Sequence, residues 1–453
     1  MSRCLVLIFY NILLPVFFIV AFPGWLLKMW KRGGYGTGLL ERFARFKVSA
    51  ADEARGVVYV HAVSVGEVLI ALKLIKAWLA KEPDVRFVLA ATTSTGHAVA
   101  RKQSPEGVRV IYSPLDFGWM VRAVLRRFQP RQMVLIEAEA WPNLLNNARR
   151  MSIPVAMVNA RLSSRSEARF RKFGMLIKPI FAMLDLLCVQ HEQDADRFAS
   201  LGIAPGKIHV TGSIKFDPSG AAAPQQSEAF KAILNNFGVG AQSDRQVVLA
   251  ASTHAGEERL LGAACQASGN AALYVVVPRH AERRDEVKAD LESCGFEVVL
   301  RSAYQSTRSA YQKPHDLDKA CLLVDTTGEL CDWTAHADVV VIGKSWLGRG
   351  GQNPAEAIVA GVPVITGPHM GNFEPLAATL DRAGGVRMLS SADELGETLN
   401  ELLGDAALVG AMCEKAANVL ASHENAVQKT LKLLHLNASV AWQNVQGCAQ
   451  DHE

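Results

Sequence analysis

The residues in this sequence best placed for acid–base chemistry are glutamates that follow apolar runs. In "HAVSVGEVL", His61–Leu69, Glu67 stands one residue after Gly66, between the apolar run Val57–Val60 and a segment of helical period that starts at Val68. A carboxylate there either favours the positive end of the helix, worth about 0.3–1 kcal/mol, or accepts a proton from a reacting group; residue type and spacing leave both open. Glu137 and Glu139, in "VLIEAEAWPN", follow a run that ends at Ile136. Four later strings, "ASTHAGEE", "VPRHAER", "VDTTGEL" and "GKSWLGRGGQNPAEAI", also follow apolar runs. Ligands of open α/β sheets bind beyond the carboxyl ends of the strands, so these strings mark where chemistry is to be sought. The "GKS" at 343–345 is not a phosphate-binding P-loop, because the required glycine spacing before it is missing.

The elements that must position these residues alternate. Short β-branched runs occur at Val57–Val60, Arg86–Ala91, Val108–Tyr112, Gln132–Ile136, Val155–Val158, Leu186–Val189 and Ile208–Thr211, with amphipathic segments between them. That is the β-α-β pattern of a parallel sheet covered on both faces. "DPSGAAAPQQS", Asp217–Ser227, interrupts it with small residues, glycine and proline, as a linker does. The alternation then restarts at Val247–Ala251, Ala272–Val277, Glu297–Leu300, Leu322–Asp325, Val339–Gly343 and Val362–Thr366. The expected fold is α/β, with two Rossmann-like, doubly wound domains facing a ligand cleft. The expected boundaries are an anchor helix over 1–30, a first domain over 31–217, a linker over 218–227, a second domain over 228–435 and a tail over 436–453.

Composition narrows the function class. The chain has 453 residues, 49% hydrophobic and 20% charged, which predicts two or three globular units and excludes wholesale disorder. The eight cysteines are scattered without C-x-x-C spacing, which argues against a disulfide framework or a structural metal site. Residues 1–217 hold 30 Lys and Arg against 16 Asp and Glu, and the remainder 18 against 28, so the halves carry about +14 and −10. A positive first half suits nucleic acid or an anionic membrane, and the neighbouring sequence favours the membrane. Cys4–Leu27 contains no charged residue, long enough to cross a hydrocarbon core of about 30 Å. No A-x-A cleavage site follows it, and the basic residues Lys28, Lys31, Arg32, Arg42, Arg45 and Lys47 come after it, which leaves the globular part on the cytoplasmic side. Pro15 and Pro23 predict kinks, and a tilted interfacial anchor is an alternative to a full span.

Seven strings in order, HAVSVGE, EAEAWPN, NARLS, TGSIKFD, STHAGEE, PRHAER and GGQNPAEA, resemble the Kdo transferases, the 3-deoxy-D-manno-octulosonic acid transferases of lipopolysaccharide biosynthesis. The resemblance runs from the anchor to about residue 430. It implies a GT-B fold with the acceptor held by the first domain and the donor by the second. It also implies inverting transfer of Kdo from CMP-Kdo to a hydroxyl of a lipid A precursor, lipid IVA, at the cell inner membrane. No cofactor or metal is implied, nor a nucleic-acid partner. In this sequence Ala138, Thr327 and Gln352 depart from residues common in the family pattern, and Thr327 weakens any role of that side chain in reading the base.

By the same resemblance Glu67, Glu137 and Lys215 are catalytic: Glu67 takes the proton of the attacking hydroxyl, while Glu137 and Lys215 stabilise the transition state. Pro278, Arg279, Thr327, Gly328, Glu329, Asn353, Pro354, Ala355 and Glu356 fall on the CMP-binding positions. The fork of Arg279 suits a phosphate, Glu356 suits ribose hydroxyls, and a helix starting near Ala355 would turn its amides toward an anion. His61, His254 and His280 flank these sites and are expected to order turns. The basic stretch Ala160–Lys178 reads as a helix able to lie on a membrane or hold acceptor phosphates, or as a solvated basic face. Two other functions fit a chain of this shape: a sugar-nucleotide isomerase that needs no lipid, and a tethered two-lobed receptor.

Overall fold

A computed structural model of the protein describes residues 2–31, 38–46, 56–137, 139–162, 164–220, 224–304, 314–348 and 350–450. The chain forms two compact units, Met1–Asp217 together with Asn425–Glu453, and Pro218–Glu424.

The first unit is built on seven parallel strands: β1 Val58–Ala62, β2 Phe87–Ala91, β3 Val108–Tyr112, β4 Gln132–Ile136, β5 Val155–Ala160, β6 Leu186–Val189 and β7 Ile208–Val210, in spatial order β3-β2-β1-β4-β5-β6-β7. Side chains alternate across this sheet with period two. Tyr59, Val88, Met133 and Leu135 enter one core, and Val58, Val60, Leu89, Val134 and Ile136 the other. Both faces are thus apolar, which is why the strands read as unbroken hydrophobic runs. The second unit repeats the plan with β8 Val247–Thr253, β9 Leu273–Pro278, β10 Glu297–Leu300, β11 Ala320–Leu323, β12 Val339–Ile342, β13 Val364–Thr366 and β14 Arg387–Met388, in order β10-β11-β9-β8-β12-β13-β14, again parallel.

The order reverses beside β1 in the first sheet and beside β8 in the second, so each unit has a switch point of the kind that opens a crevice at the strand ends. Backbone strain gathers at those ends. Glu137 (φ 60°), Asn159 (φ 54°), Ser252 (φ 57°) and Lys344 (φ 57°) are non-glycine residues in the left-handed region, each within two residues of the end of β4, β5, β8 or β12. Such conformations cost on the order of 1–3 kcal/mol each and concentrate at functional sites.

Three features differ from the sequence reading. The sequence places residues up to 435 in the second domain, whereas the chain from Asn425 onward packs with the first unit. The Asp217 carboxylate accepts from the backbone N–H groups of Asn425 (3.1 Å) and Val427 (2.8 Å), and Ala426, Val427, Leu431 and Leu434 join the first unit's core. Residues 436–450 continue the same helix, Ala426–Gln450, rather than forming a separate tail. The basic stretch Ala160–Lys178 is not one helix: Ala160 closes β5, and two helices follow, Ser164–Lys172 and Gly174–Phe181. Within the expected linker, residues 221–223 lie outside the described residues, as do 32–37 and 47–55 of the expected first domain.

At the N-terminus a continuous helix covers Arg3–Lys31, through both Pro15 and Pro23. Its stretch Arg3–Gly24, whose most apolar 18-residue window has a mean hydropathy of 2.7, has 22 residues. That corresponds to about 33 Å of helix, long and apolar enough to cross a membrane.

Candidate active site

Glu67 owes its position to the turn after β1. Ser64 caps the helix Val65–Leu79, and Glu67 completes a reciprocal capping box. Glu67 Oε2 accepts from Val63 N at 2.8 Å; Oε1 accepts from Ser64 N at 3.2 Å and from the Ser64 hydroxyl at 2.8 Å. The side chain is buried at 6% exposure. The cap therefore orients a carboxylate that would otherwise have to be ordered by substrate. A carboxylate oxygen has two lone-pair sites, so Oε2 with its single bond keeps one for a further donor.

The other carboxylates converge on it. Glu137 follows β4 in its strained left-handed conformation, its N–H bonded to Val158 O at 2.9 Å. Burial raises the pKa of Glu137 above the ordinary carboxylate value; the Glu67 charge adds to this, while Arg161 and Lys215 oppose it. Glu139 is likewise raised, first by burial and then by Glu67, while the indole of Trp141 donates to its Oε2 at 2.9 Å and opposes the shift. Lys215 is exposed, yet its ammonium is held below its usual value by partial desolvation and by Arg161, with Glu137 pulling it back. Glu67, Glu137, Glu139, Arg161 and Lys215 thus form one electrostatic cluster, three carboxylates with two cations. Ala138, between two of them, lies outside the described residues.

Asn159 braces the cluster. Its left-handed backbone is a conformation that asparagine tolerates better than most residues. Its side-chain Oδ1 accepts from Ile214 N at 2.8 Å, which ties the end of β5 to the loop that carries Lys215. The sequence reading missed Arg161 as a member of this cluster. It counted that residue into a basic surface run, although it sits two places after Asn159 in NARLS, where β5 ends. His61 behaves as expected of a residue that orders structure: burial lowers its pKa to about 4, so the ring is neutral, and its Nδ1 lies 3.4 Å from the Ser113 hydroxyl.

In the second unit the expected CMP-binding residues fall on three loops. Pro278 ends β9, and Arg279 N donates to Thr253 O at 3.0 Å. Arg279 reaches Glu356 electrostatically, opposing the upward shift that burial gives that carboxylate. Thr327 and Gly328 (φ 89°) lie between β11 and the short helix Leu330–Thr334, which Glu329 caps. The Glu329 carboxylate is engaged internally, accepting from Arg301 Nε at 3.1 Å and Trp333 Nε1 at 3.3 Å. Asn353 Oδ1 accepts from Ala355 N at 3.2 Å, Pro354 occupies the cap position, and the helix Ala355–Val359 has five residues. The helix starts at Ala355 as expected, and so short a helix contributes little dipole beyond its first amides. Gly351 (φ 68°) lies in the left-handed region that favours glycine, and a Cβ there would also press on the Met370 side chain. Arg349 lies outside the described residues.

A buried carboxylate that sequence reasoning did not single out holds this region together. Glu257, fully buried, accepts from His254 N (3.0 Å), Lys344 N (2.6 Å), Trp346 N (3.1 Å) and Leu347 N (3.4 Å). Its neighbour Glu258, also fully buried, receives both terminal nitrogens of Arg283 at 2.8 and 3.2 Å. The paired glutamates of STHAGEE and the arginine of PRHAER therefore shape the loops.

The chain matches the family model of 3-deoxy-D-manno-octulosonic-acid transferase (kdotransferase) over residues 37–218. It is also 34% identical over 424 residues to the 3-deoxy-D-manno-octulosonic acid transferase of Bordetella pertussis, covering 90% of this chain and 95% of the relative. The chain belongs to the 3-deoxy-D-manno-octulosonic acid transferase family. As a family member it is a glycosyltransferase, and its fold is of GT-B type. MurG of Acinetobacter baumannii is similar in structure at 12% identity, TM-score 0.53, over 84% of this chain and 99% of that one. A Listeria monocytogenes protein described as a UDP-N-acetylglucosamine 2-epimerase is similar at 16% identity, TM-score 0.52, over 83% and 95%. Shape alone is thus shared with a protein described as an epimerase; the 34% identity to the Bordetella transferase is what places this chain among transferases.

Proposed function

We propose that the protein transfers Kdo from CMP-Kdo to a hydroxyl of a lipid A precursor, lipid IVA, with inversion at the anomeric carbon. The observation that carries this reading is the convergence of Glu67, Glu137, Glu139, Arg161 and Lys215 in the first unit of a family member. A sugar hydroxyl is a poor nucleophile at neutral pH, and a fixed carboxylate that takes its proton contributes roughly 10²–10⁴-fold to rate. In the proposed step the acceptor oxygen bonds to the anomeric carbon and its proton passes to Glu67 Oε2. The bond from that carbon to the CMP phosphate oxygen breaks, and CMP leaves with the electron pair. Lys215 and Arg161 offset the negative charge of the donor carboxylate and the departing phosphate. Glu137, with its raised pKa, hydrogen-bonds the acceptor.

Donor binding is assigned to the second unit. Arg279 takes the phosphate, Glu356 accepts from the ribose hydroxyls, and backbone groups of Thr327–Glu329 and Asn353–Ala355 contact the nucleotide. The N-terminal helix holds the enzyme at the inner membrane with both units on the cytoplasmic side, where basic residues near the surface each contribute about 1 kcal/mol on anionic lipid. The test is incubation of the membrane-bound protein with tetra-acylated lipid A precursor and CMP-Kdo generated in situ, followed by mass measurement of the lipid. A mass gain of one or more Kdo residues is expected; an unchanged lipid overturns the reading.

A further inference from the structure

The N-terminal helix docks on the first unit by one face and leaves a cavity beneath it. Val6 and Leu7 are buried in the core. The Tyr10 hydroxyl donates to Asp116 Oδ2 at 2.9 Å, and the amides of Asn11 and Asn143 exchange hydrogen bonds at 3.1 and 2.8 Å. These polar ties fix the helix to the domain, since breaking them leaves the buried Asp116 and Asn143 short of partners. The opposite face presents Ile12, Val16, Ile19 and Val20, all more than half exposed. Beyond Asn11 the inner face, including Leu14, Phe18 and Phe22, roofs a cavity of about 270 Å³, with Phe18 packed edge-on against Phe117 at 5.6 Å.

The floor of that cavity lies at the carboxyl ends of β1, β2 and β3 and includes His61, Ser113 and Trp141. An apolar cavity of about 150 Å³ already stays dry and takes up benzene, so this one accommodates a hydrocarbon segment. Its lining is amphipathic. The Arg42 side chain, 6% exposed and stacked 4.3 Å above the Tyr112 ring, supplies a cation in walls that are mostly apolar but also include Asp116, His61, Thr92 and Ser113. Trp141 links the cavity to the carboxylate cluster, because it forms part of the cavity wall and its indole donates to Glu139.

We infer that this cavity takes one fatty-acyl chain of the acceptor lipid, so that the helix Arg3–Lys31 is a wall of the acceptor site as well as a membrane tether. The inference rests on the proposed lipid acceptor. The aromatic inner face grips the chain, Arg42 meets the anionic or ester end of the lipid, and Trp141 sets the distance from the chain to Glu67 and Glu139. A bilayer phospholipid has the same kind of chain but no sugar to place at the cluster, and it contacts the outer face instead.

The full-length protein in membranes is tested with lipid A precursor that carries a diazirine on an acyl chain, and in parallel with a diazirine phosphatidylethanolamine. After irradiation, peptide mass mapping is expected to find the lipid A precursor on Leu14, Phe18, Phe22 or Leu115–Val121, and the phospholipid on Ile12, Val16 or Val20. The same outer-face labelling by both lipids, or no labelling of the cavity, overturns the inference. Ala21→Trp, which fills the cavity from its roof, is expected to raise KM for tetra-acylated acceptor at least tenfold with kcat within threefold and CMP affinity unchanged. A loss in kcat with KM unmoved overturns it as well. Wild-type protein that adds Kdo to the diazirine lipid while the cavity stays unlabelled refutes the cavity alone; wild-type protein that adds none refutes the functional reading.

Discussion

The two units carry equivalent sheets but use their strand ends differently. In the first unit the groups gathered at the switch point are side chains: three carboxylates and two cations in electrostatic reach of one another, two of the carboxylates shifted upward by burial and by Glu67. In the second, the buried Glu257 holds loop backbone N–H groups, while the buried Glu258 and the partly buried Glu329 pair with the Arg283 and Arg301 side chains. A site for proton transfer needs charged groups kept close at a cost in desolvation and strain. A site for a nucleotide needs shaped amides and one or two charges, the part we propose for Arg279 and Glu356. The comparison teaches that a glutamate after a strand has either job, and only its partners decide which.

The sharpest way to break this contrast is to remove a loop-holding carboxylate. Glu257→Ala leaves four backbone N–H groups without their acceptor, each costing about 1–3 kcal/mol where buried. Second-unit stability is expected to fall by at least about 3 kcal/mol in urea titrations, with CMP affinity lost; normal affinity would make Glu257 dispensable to the loops. Lys215→Ala is next in size. Turnover is expected to fall roughly tenfold or more with CMP affinity within twofold, consistent with cation loss at developing charge, as read by single-turnover transfer.

A smaller effect concerns pH. Burial raises the Asp116 pKa to about 7, against the bonds it accepts from Asn143 N, Leu144 N and Tyr10. A carboxyl raised by folding contributes stability that is complete below its ordinary value near 4 and is lost as pH rises through about 7. The melting-temperature advantage of wild type over Asp116→Asn is therefore expected to shrink between pH 5 and pH 8, and an advantage that grows over that range contradicts the assignment. Smallest of all, Thr327→Met is expected to change CMP affinity less than threefold, because backbone groups are assigned the contacts there.

Much of the fold is legible in the sequence because both faces of each sheet are buried, which writes every long strand as a continuous apolar run. The two-residue β14, Arg387–Met388, is too short to leave such a signal. The return of the chain to the first unit is invisible for another reason. Its determinants, Asp217 with Asn425 and Val427, lie more than 200 residues apart, and no local pattern reports a contact across that separation. Glu67, Glu137 and Lys215 stand out through strand-end position and family motifs. Arg161 does not, because a basic run hides one member with a different neighbourhood; the signal able to separate it was its place two residues after Asn159 at the end of β5. The capping box on Glu67 was also foreseeable from S-x-x-E, and it shows that capping and positioning are the same interaction at this residue.

The division of labour between the units is tested most directly on Glu67→Gln, with single-turnover Kdo transfer and CMP affinity measured on one preparation. Glutamine keeps one acceptor oxygen for the cap, giving up the bond from Val63 N or from Ser64 N, and takes up no proton. The account predicts a rate loss of roughly 10²-fold or more with CMP affinity within twofold of wild type. Near-normal transfer, or a rate loss matched by an equal loss of CMP affinity, would contradict it.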